Sequence, residues 1–354
     1  MNLKTDSITI VNPSKILNTK LDWKLKDYFS FNNDIYFIGD NSNDSIFIIK
    51  NFNTIVAKLK YPENYRVSNN APFVTLHDST FYFLAAFSGN LFKYKMGADT
   101  TIVLVDSLYK NKIFSTLGLS IAFYPVNNTF NKQIFIINNE LYFKTMPAIY
   151  NDFIEEENGL FYENEYNYPI VAKYNFSNKS IDTLSLRVPS VPDYLKRGIY
   201  SSFYLCFLDS QIVCNNPSNN YLSFNLTDSR ISYSQLYSKF HQPYKSLSEN
   251  DDIFHYYYNE PFYGQIIFNP HNKLKAQLYF HKQHNKKFQG KGMDVRPKNL
   301  MIINEKNQLI DEIIVPDSLS GFHKFAHKNE FYFSKALNND SLITFYKFTF
   351  IKSN

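Results

Sequence analysis

Asp34-Ile35-Tyr36-Phe37-Ile38 is the first of six short alternating runs, each centred on a triplet of apolar and aromatic residues. The triplets are Ile35-Tyr36-Phe37, Phe81-Tyr82-Phe83, Leu141-Tyr142-Phe143, Ile212-Val213-Cys214, Leu278-Tyr279-Phe280 and Phe331-Tyr332-Phe333. They recur at steps of about 45 to 70 residues, and a loose repeat of strands at such a period is typical of a radial or stacked array of β units. The sequence therefore predicts an all-β fold, a six-bladed β-propeller.

Turn-forming residues divide each unit into strands. In the first unit the predicted strands are residues 27–31, 34–38, 45–50 and 55–60, separated by breaks rich in Asn, Asp and Ser, which favour turns. The last unit, from residue 322, has only three predicted strands before the chain ends, and residues 7–11 alternate correctly to supply a fourth. We therefore expect the N-terminal strand to pair with the C-terminal blade and close the ring.

The chain is long for one compact core. Its 354 residues exceed the usual limit of about 250–300, yet no linker or shift in composition marks a boundary. A core divided among repeats explains the length, so residues 1–354 are predicted to form a single propeller domain. A pair of β-sandwiches, or a seventh blade using residues 113–124 or 253–258, stays open as an alternative. Helical turns are expected within residues 107–117 and 238–249.

Charge and cysteine content narrow the class of protein. The net charge of +5 and the pI of 8.8 are mild, and the positive charge forms no long tail or helical face, so no nucleic-acid partner is predicted. Cys206 and Cys214 flank a turn in which Cys206 faces Val213 and Leu205 faces Cys214. This register is offset by one residue, which favours two buried free thiols over a disulfide.

Membrane and export signals are also absent from the printed sequence. No run approaches the ~18 apolar residues of a membrane span, and the opening Met1-Asn2-Leu3-Lys4-Thr5-Asp6 lacks the apolar core of a signal peptide. The chain as printed is therefore expected to be soluble.

Residues 263–316 carry a resemblance to a known family. Gln265-Ile266-Ile267-Phe268-Asn269-Pro270 is followed by Leu300-Met301-Ile302-Ile303-Asn304-Glu305 and then by Leu309-Ile310-Asp311-Glu312-Ile313-Ile314-Val315-Pro316. This pattern resembles the C-terminal half of the Bacteroidota propeller lipoproteins grouped as domain-of-unknown-function family 4221, clearly over the last hundred or so residues. In that family the turn usually reads Asp-Pro and the next strand ends in Arg, whereas Asn269 and His281 stand at these places here.

The resemblance implies a six-bladed propeller that is exported to the cell envelope, with a signal peptide and a lipidated cysteine upstream of the printed chain. A membrane contact is then expected only through that anchor. It implies no activity.

Two long insertions fall between the second and third predicted strands of their units, and propeller topology places both on one face. Residues 147–168 are acidic, and residues 282–298 are basic. Long loops on a rigid scaffold carry function more often than the scaffold does. The acidic insertion lacks the spacing and central Gly of a calcium loop, which favours a solvated run of charge.

The candidate ligand-binding residues lie on or near the basic insertion. Its cations suit an anionic glycan, a phosphate or an acidic protein surface, and Phe288 suits stacking on a ring; the alternative is a hydrated hairpin extension. The candidates are Lys282, His284, Lys286, Lys287, Phe288 and Arg296, together with Tyr256, Tyr257 and Tyr258 as a carbohydrate shelf. Alternation along a strand would turn about half of that tyrosine run into the core.

Signatures of catalysis and of metal binding are absent. There is no nucleophile elbow, phosphate loop or dinucleotide fingerprint, and the pairs His281/His284 and His323/His327 lack the backbone spacing for zinc. No cofactor and no metal are predicted, and catalytic residues stay unknown. The sequence favours a non-catalytic binding propeller whose partner is an envelope protein or a glycan on the insertion face. A polysaccharide lyase or glycoside hydrolase with acids in the central depression is the alternative.

Overall fold

The fold consists of six small antiparallel sheets arranged as the blades of a propeller. The computed structural model describes residues 2–11, 23–41, 45–60, 73–85, 88–98, 101–121, 134–147, 168–187, 204–208, 210–215, 218–243, 259–282, 296–335 and 342–351. Within them no helix is long and apolar enough to span a membrane.

The first three blades follow one another along the chain. Blade 1 contains β2 (Trp23–Phe31), β3 (Asp34–Asn41), β4 (Ser45–Lys50) and β5 (Thr54–Lys60). Blade 2 contains β6 (Phe73–His77), β7 (Thr80–Ala85), β8 (Asn90–Lys95) and β9 (Ile102–Val105). Blade 3 contains β10 (Leu119–Ile121), β11 (Ile134–Ile137), β12 (Glu140–Pro147), β13 (Val171–Asn175) and β14 (Ile181–Thr183). A 3-10 turn (Leu108–Lys110) and a short helix α1 (Lys112–Leu117) connect blades 2 and 3, which confirms the first expected helical turn.

The last three blades complete the order. Blade 4 contains β15 (Tyr204–Leu208), β16 (Gln211–Asn215), β17 (Asn220–Asn225) and β18 (Ile231–Gln235). Blade 5 contains β19 (Phe262–Tyr263), β20 (Ile267–Asn269), β21 (Leu274–Phe280), β22 (Lys298–Ile303) and β23 (Leu309–Ile314). Blade 6 contains β24 (Leu319–His327), β25 (Glu330–Lys335), β26 (Leu342–Ile351) and β1 (Asn2–Val11).

The N-terminal strand closes the ring, as the sequence predicts. β1 pairs antiparallel with β26 along its whole length, from Asn2 opposite Ile351 to Val11 opposite Leu342. The partner strand would otherwise present an unpaired edge of ten residues. Blade 6 is therefore built from both ends of the chain.

The apolar core is divided into six clusters, one between each pair of neighbouring blades. Clusters join blades 1 and 2, 2 and 3, 3 and 4, 4 and 5, 5 and 6, and finally 6 and 1. The last of these places Phe325 and Phe345 of blade 6 against Phe37 and Phe47 of blade 1. A sandwich would bury one interface between two sheets, so this cyclic packing excludes it and confirms the six-bladed propeller.

Tight turns follow the sequence pattern. Between the first two strands of blades 1, 2 and 3, both turn residues have positive φ: Asn32 and Asn33, Asp78 and Ser79, Asn138 and Asn139. Two consecutive positive φ values define the hairpin turn whose twist matches that of the flanking strands. Asn and Asp tolerate this backbone, which is why they mark the hairpin turns within blades in the sequence.

Blade 5 departs from the repeat. In the other five blades the triplet begins one residue into the second strand, and its middle residue packs against the following blade. In β21 the triplet begins four residues in, so Tyr279 packs against the preceding blade. Because successive side chains alternate between faces, an odd shift reverses the face. The fifth triplet is therefore not equivalent to the others.

The same blade has a broken inner strand. A single strand is expected over residues 263–268, but β19 ends at Tyr263 and β20 begins at Ile267, with an extra residue opposite β21. Gly264 lies in this bulge, and a Cβ there would come within 3.3 Å of the main-chain oxygen of Leu278. The bulge turns the Gly264 carbonyl toward Asn215 and Gln277, whose amide nitrogens both donate to it.

The described ends of both insertions lie on one rim of the ring by topology. First strands of neighbouring blades contact each other, as β6 contacts β11 and β20 contacts β24, so every blade runs from the inside outward. The connection between second and third strands therefore emerges on the same rim in each blade. We call it the insertion rim. Most of residues 147–168 and 282–298, and all of residues 253–258, lie outside the described residues.

Candidate functional site: the insertion rim of blade 5

A connecting segment, residues 236–243, lies against the insertion rim of blade 5; we call it the rim strap. It leads from β18 of blade 4 and begins with Leu236, which is buried between blades 4 and 5. Residues 238–243 form an irregular segment with a turn at 239–240, so the second expected helical turn is absent from this described part. The rest of that range, residues 244–249, is outside the described residues.

The strap is fixed to blade 5 by hydrogen bonds to side chains of the sheet. Glu312, buried on β23, accepts hydrogen bonds from the Ser238 hydroxyl and, at 2.6 Å, from the main-chain nitrogen of Lys239. The hydroxyl of Tyr263 accepts from the main-chain nitrogen of Ser238 at 3.0 Å, and that of Tyr279 from Gln242 at 2.8 Å. An irregular segment on a sheet needs such partners, because its main chain has no ladder of its own.

Burial makes the two tyrosines poor acids and therefore reliable hydrogen-bonding groups. It raises the pKa of Tyr279 to about 12, and it also raises the pKa of Tyr263. Both hydroxyls keep their hydrogens at neutral pH. Tyr279 reaches this position because its triplet is shifted along β21.

Two histidines of the site form hydrogen bonds through their rings. Nδ1 of His241 lies 3.0 Å from the Tyr263 hydroxyl, and burial lowers the pKa of His241, which favours its neutral ring. Nε2 of His281 lies 2.9 Å from Oδ1 of Asn299, whose amide nitrogen donates to Glu312. Since Oδ1 accepts, His281 must carry a hydrogen on Nε2.

The outer side of the strap carries exposed aromatic rings. Tyr237 is 51% exposed and Phe240 is 42% exposed. The ring of Tyr237 meets that of His241 edge to face, with centroids 5.1 Å apart, and the ring of Phe240 lies 5.8 Å from that of His281. Lys239 is exposed between them. Aromatic surface of this kind on a fixed segment is suited to contact with a ligand.

The two ends of the basic insertion, residues 281–282 and 296–298, lie beside the strap; we call them the neck. The main-chain nitrogen of Lys282 donates to Oε1 of Gln242 at 2.7 Å. The side-chain ammonium of Lys282 pairs with the carboxylate of the buried Glu260 at 3.2 Å. His281 donates its main-chain N–H to the carbonyl of Pro297 at 3.0 Å. The two ends of the insertion are thus held together at the sheet.

Two buried cations and two aromatic rings form a stack in this neck. The Arg296 guanidinium lies 5.2 Å from the ring of Phe262, and the Lys298 ammonium lies 5.9 Å from the ring of Phe280. The rings of Phe262 and Phe280 stack at 4.2 Å with an interplanar angle of 9°. Cation–π contacts gain strength when the cation is removed from water.

Main-chain carbonyls complete the surroundings of both cations. Arg296 is fully buried and donates to the carbonyls of Glu260, at 2.6 Å, and of His281. Lys298 donates to the carbonyls of Arg296, at 2.9 Å, and of Asp317, at 3.1 Å. These contacts anchor the base of the insertion.

The predicted site residues divide into two groups. Lys282 and Arg296 lie together in the neck, Lys282 partly exposed and Arg296 within the stack. The other seven predicted residues lie outside the described residues and stay predictions; they are His284, Lys286, Lys287, Phe288, Tyr256, Tyr257 and Tyr258. The acidic residues of the other insertion lie outside them too.

Sequence reasoning missed the residues that build the strap. Glu312 stands in an ordinary strand, Tyr237 stands at the end of a predicted strand, and Phe240 stands in a segment expected to be helical. No local sequence pattern marks them, because the register that moves Tyr279 to the insertion rim is visible only from the strand bounds of the structure.

The structure also describes the two cysteines and Asn269. Cys206 faces Val213, Cys214 faces Leu205, and both are buried free thiols, as expected. Asn269, which replaces the family's usual Asp, is buried, accepts from the main-chain nitrogen of His271 and donates to the carbonyl of Glu330. Among the described residues no three His, Cys, Asp or Glu side chains gather as metal ligands.

Comparison with known proteins gives a likeness in fold. No family model and no curated protein matches the chain. A member of domain-of-unknown-function family 4221 from Bacteroides vulgatus superposes with a TM-score of 0.69, covering 98% of both chains at 10% identity.

Two further solved structures are more distant. BamB from Moraxella catarrhalis has a TM-score of 0.39 and 10% identity, covering 90% of this chain and 70% of its own. BBS1N, solved in complex with ARL6DN, has a TM-score of 0.41 and 9% identity, covering 90% of this chain and 76% of its own. The likeness to the family 4221 member covers the whole fold, and the chain is a propeller similar in fold to that protein.

Proposed function

We propose that the protein is a non-catalytic binding propeller of the cell envelope, with its ligand on the insertion rim of blade 5. The observation that carries the proposal is the rim strap, whose main chain is fixed by Glu312, Tyr263 and Tyr279 while Tyr237 and Phe240 stay exposed. A segment held in place before binding loses little conformational entropy on binding. The envelope location is supported by the resemblance to the lipoprotein group.

At the rim strap, binding is favoured over glycoside hydrolysis by the state of the nearby carboxylates. General acid–base catalysis at a sugar needs two carboxyl groups placed on either side of the bond that is cleaved. The two carboxylates that contact the strap or the neck are engaged elsewhere, since Glu260 pairs with Lys282 and Glu312 accepts from the strap and from Asn299.

The neck defines a clean test of this function. Residues 283–295 are replaced by a short Gly-Ser turn, keeping Lys282, Arg296 and Lys298, which anchor the ends. Wild type and variant are then compared on a glycan array and in pull-downs from an envelope extract. Replacement of residues 148–167, the acidic insertion on the same rim, is the matched control.

We expect retention of ligand to fall in the first variant and to persist in the control. Equal retention of every ligand by the wild type and by the variant lacking residues 283–295 would contradict the proposal. Thermal unfolding of both variants checks that the ring is intact.

A further inference from the structure

Resting on the proposed function, we infer that the ligand is an acidic polysaccharide, bound by Tyr237 and Phe240 through sugar rings and by Lys239 through a carboxylate. The inference joins three features of the rim strap: its exposed rings, the sign of its exposed charge and the rigidity of its main chain.

The two rings are fixed in orientation although they are exposed. The main-chain nitrogens of Ser238, Lys239 and Gln242 are all bonded to blade 5. Each ring also rests against a histidine, Tyr237 on His241 and Phe240 on His281. Sugars offer flat C–H faces, and an aromatic ring that is already placed binds such a face at little entropic cost.

Charge on this rim is divided by depth. Lys239 is exposed on the strap and Lys282 is partly exposed beside it, whereas the carboxylates Glu260 and Glu312 are buried and engaged, and the exposed carboxylate of Asp317 follows β23. In sequence, residues 283–295 contain Lys286, Lys287 and Lys291 against the single acid Asp294. A ligand approaching the strap therefore meets a positive surface, which favours an anion.

The mixture of groups favours a polysaccharide over a protein partner. Lys239 stands between Tyr237 and Phe240 in the chain and is exposed, whereas the centre of a protein interface is depleted of charged residues. A polyuronate presents ring faces and carboxylates alternately along its length, which matches two rings around one cation. A protein partner would instead use Ile314, an apolar side chain 76% exposed on the edge strand β23.

Two probes separate charge from sugar recognition. Polygalacturonate and its fully methyl-esterified form share the same sugar backbone, but only the first carries carboxylates. Calorimetry on the full chain is expected to show binding of polygalacturonate and at least tenfold weaker binding of the ester. Polyglutamate, an anion without sugar rings, is expected to bind at least tenfold more weakly than polygalacturonate.

The variants Lys239→Gln and Phe240→Ala are each expected to weaken polygalacturonate binding about tenfold, equivalent to about 1.4 kcal/mol. Both side chains are exposed, so the fold is preserved. Lys112→Gln, at an exposed lysine of α1, and Tyr233→Ala, at a tyrosine 72% exposed on blade 4, are the matched controls and should bind as wild type does.

The outcomes distinguish this inference from the proposed function. If capture depends on residues 283–295 but neither Lys239→Gln nor Phe240→Ala changes it, the inference is wrong and the binding function stands. Equal binding of polygalacturonate and its ester also overturns the inference. If polyglutamate binds and Ile314→Ser abolishes that binding, the inference is overturned in favour of an acidic protein as the ligand. If the capture of no ligand depends on residues 283–295, the proposed function and this inference are both wrong.

Discussion

Single residues decide whether the rim strap is held, and Glu312 is the most heavily used of them. Its carboxylate accepts from Ser238, Lys239 and Asn299, so it joins the strap to two strands of blade 5. A glutamine there offers one acceptor oxygen and presents an N–H where another donor already lies.

Glu312→Gln is expected to destabilise the protein by about 2 kcal/mol, since hydrogen bonds to charged groups contribute about 1.5–3 kcal/mol. Urea unfolding at pH 7 measures the change. Glu305→Gln, at an exposed glutamate of the same blade, is the matched control and should change stability by less than about 0.5 kcal/mol. Equal effects of the two substitutions would contradict the assigned role.

A second prediction at this scale concerns His241 and pH. Burial lowers its pKa in the folded protein, so the unfolded chain binds a proton first as the pH falls below about 6.5. The stabilising contribution of the neutral ring is complete above the unfolded pKa and is lost as the pH falls through the folded one. Burial also lowers the pKa of His327, so both histidines contribute to the pH dependence of stability in the wild type.

His241→Asn is therefore expected to weaken, but not abolish, the loss of stability between pH 7 and pH 5. Urea midpoints at several pH values measure this, with His77→Asn at a more exposed histidine as control. A variant whose stability follows the same pH curve as wild type would exclude His241 as a contributor.

At the scale of strands, an acidic residue, a tyrosine and a lysine recur on the rim opposite the insertions. Glu140 begins β12 and accepts from Tyr142 at 2.7 Å and from Lys173 on β13 at 3.0 Å. The same three residue types recur in blade 6 as Glu330, Tyr332 and Lys347. Burial alone would raise the pKa of both glutamates, but these partners outweigh it and lower the pKa.

This arrangement gives a prediction for acid stability. In the folded protein the pKa of Glu140 and of Glu330 lies below the usual value of 4.5. The stabilisation by their charged carboxylates is therefore present above that pH and is lost as the pH falls through the folded pKa. Glu140→Gln and Glu330→Gln should each cost about 1–2 kcal/mol at pH 7 and much less at pH 3. Urea unfolding at both pH values measures the change. If each variant differs from the wild type as much at pH 3 as at pH 7, the charge of the carboxylate is not the cause of the lost stability.

Strand order could be predicted from the sequence because alternation and turn residues are local signals. Positions such as Asn32-Asn33 and Asn138-Asn139 mark turns by chemistry alone. The shifted register of blade 5 could not be predicted in the same way, since Leu278-Tyr279-Phe280 has the same composition as its counterparts. Its face depends on where the preceding turn ends and on the bulge at Gly264, both of which are set by packing between blades.

The site was predictable only in part for a related reason. Basic residues in a long insertion are visible in the sequence, and the neck contains Lys282 and Arg296 as expected. The partners of Arg296, however, are main-chain carbonyls and Phe262, which no sequence pattern associates with it. Glu312 meets Ser238 and Lys239 only because the connection between blades 4 and 5 lies against the sheet.

The whole molecule depends on closure of the ring by β1. Removing residues 1–11 is expected to lower the melting temperature by about 10 °C or more, because β26 loses its partner along its whole length. Adding a peptide of residues 1–11 should restore much of the loss, as a strand supplied in trans. Unchanged melting without residues 1–11 would contradict the closure.

At the same scale, the position of the ligand on the ring is the central claim. Amide hydrogen exchange, measured with and without polygalacturonate, reports on it directly because the main-chain nitrogens of Lys239 and Gln242 are themselves part of the strap. Added protection is expected in residues 236–243, 281–282 and 296–299, with none at the opposite rim around Glu140 and Glu330. Protection at that opposite rim, or no change in residues 236–243, would contradict a ligand site on the insertion rim of blade 5.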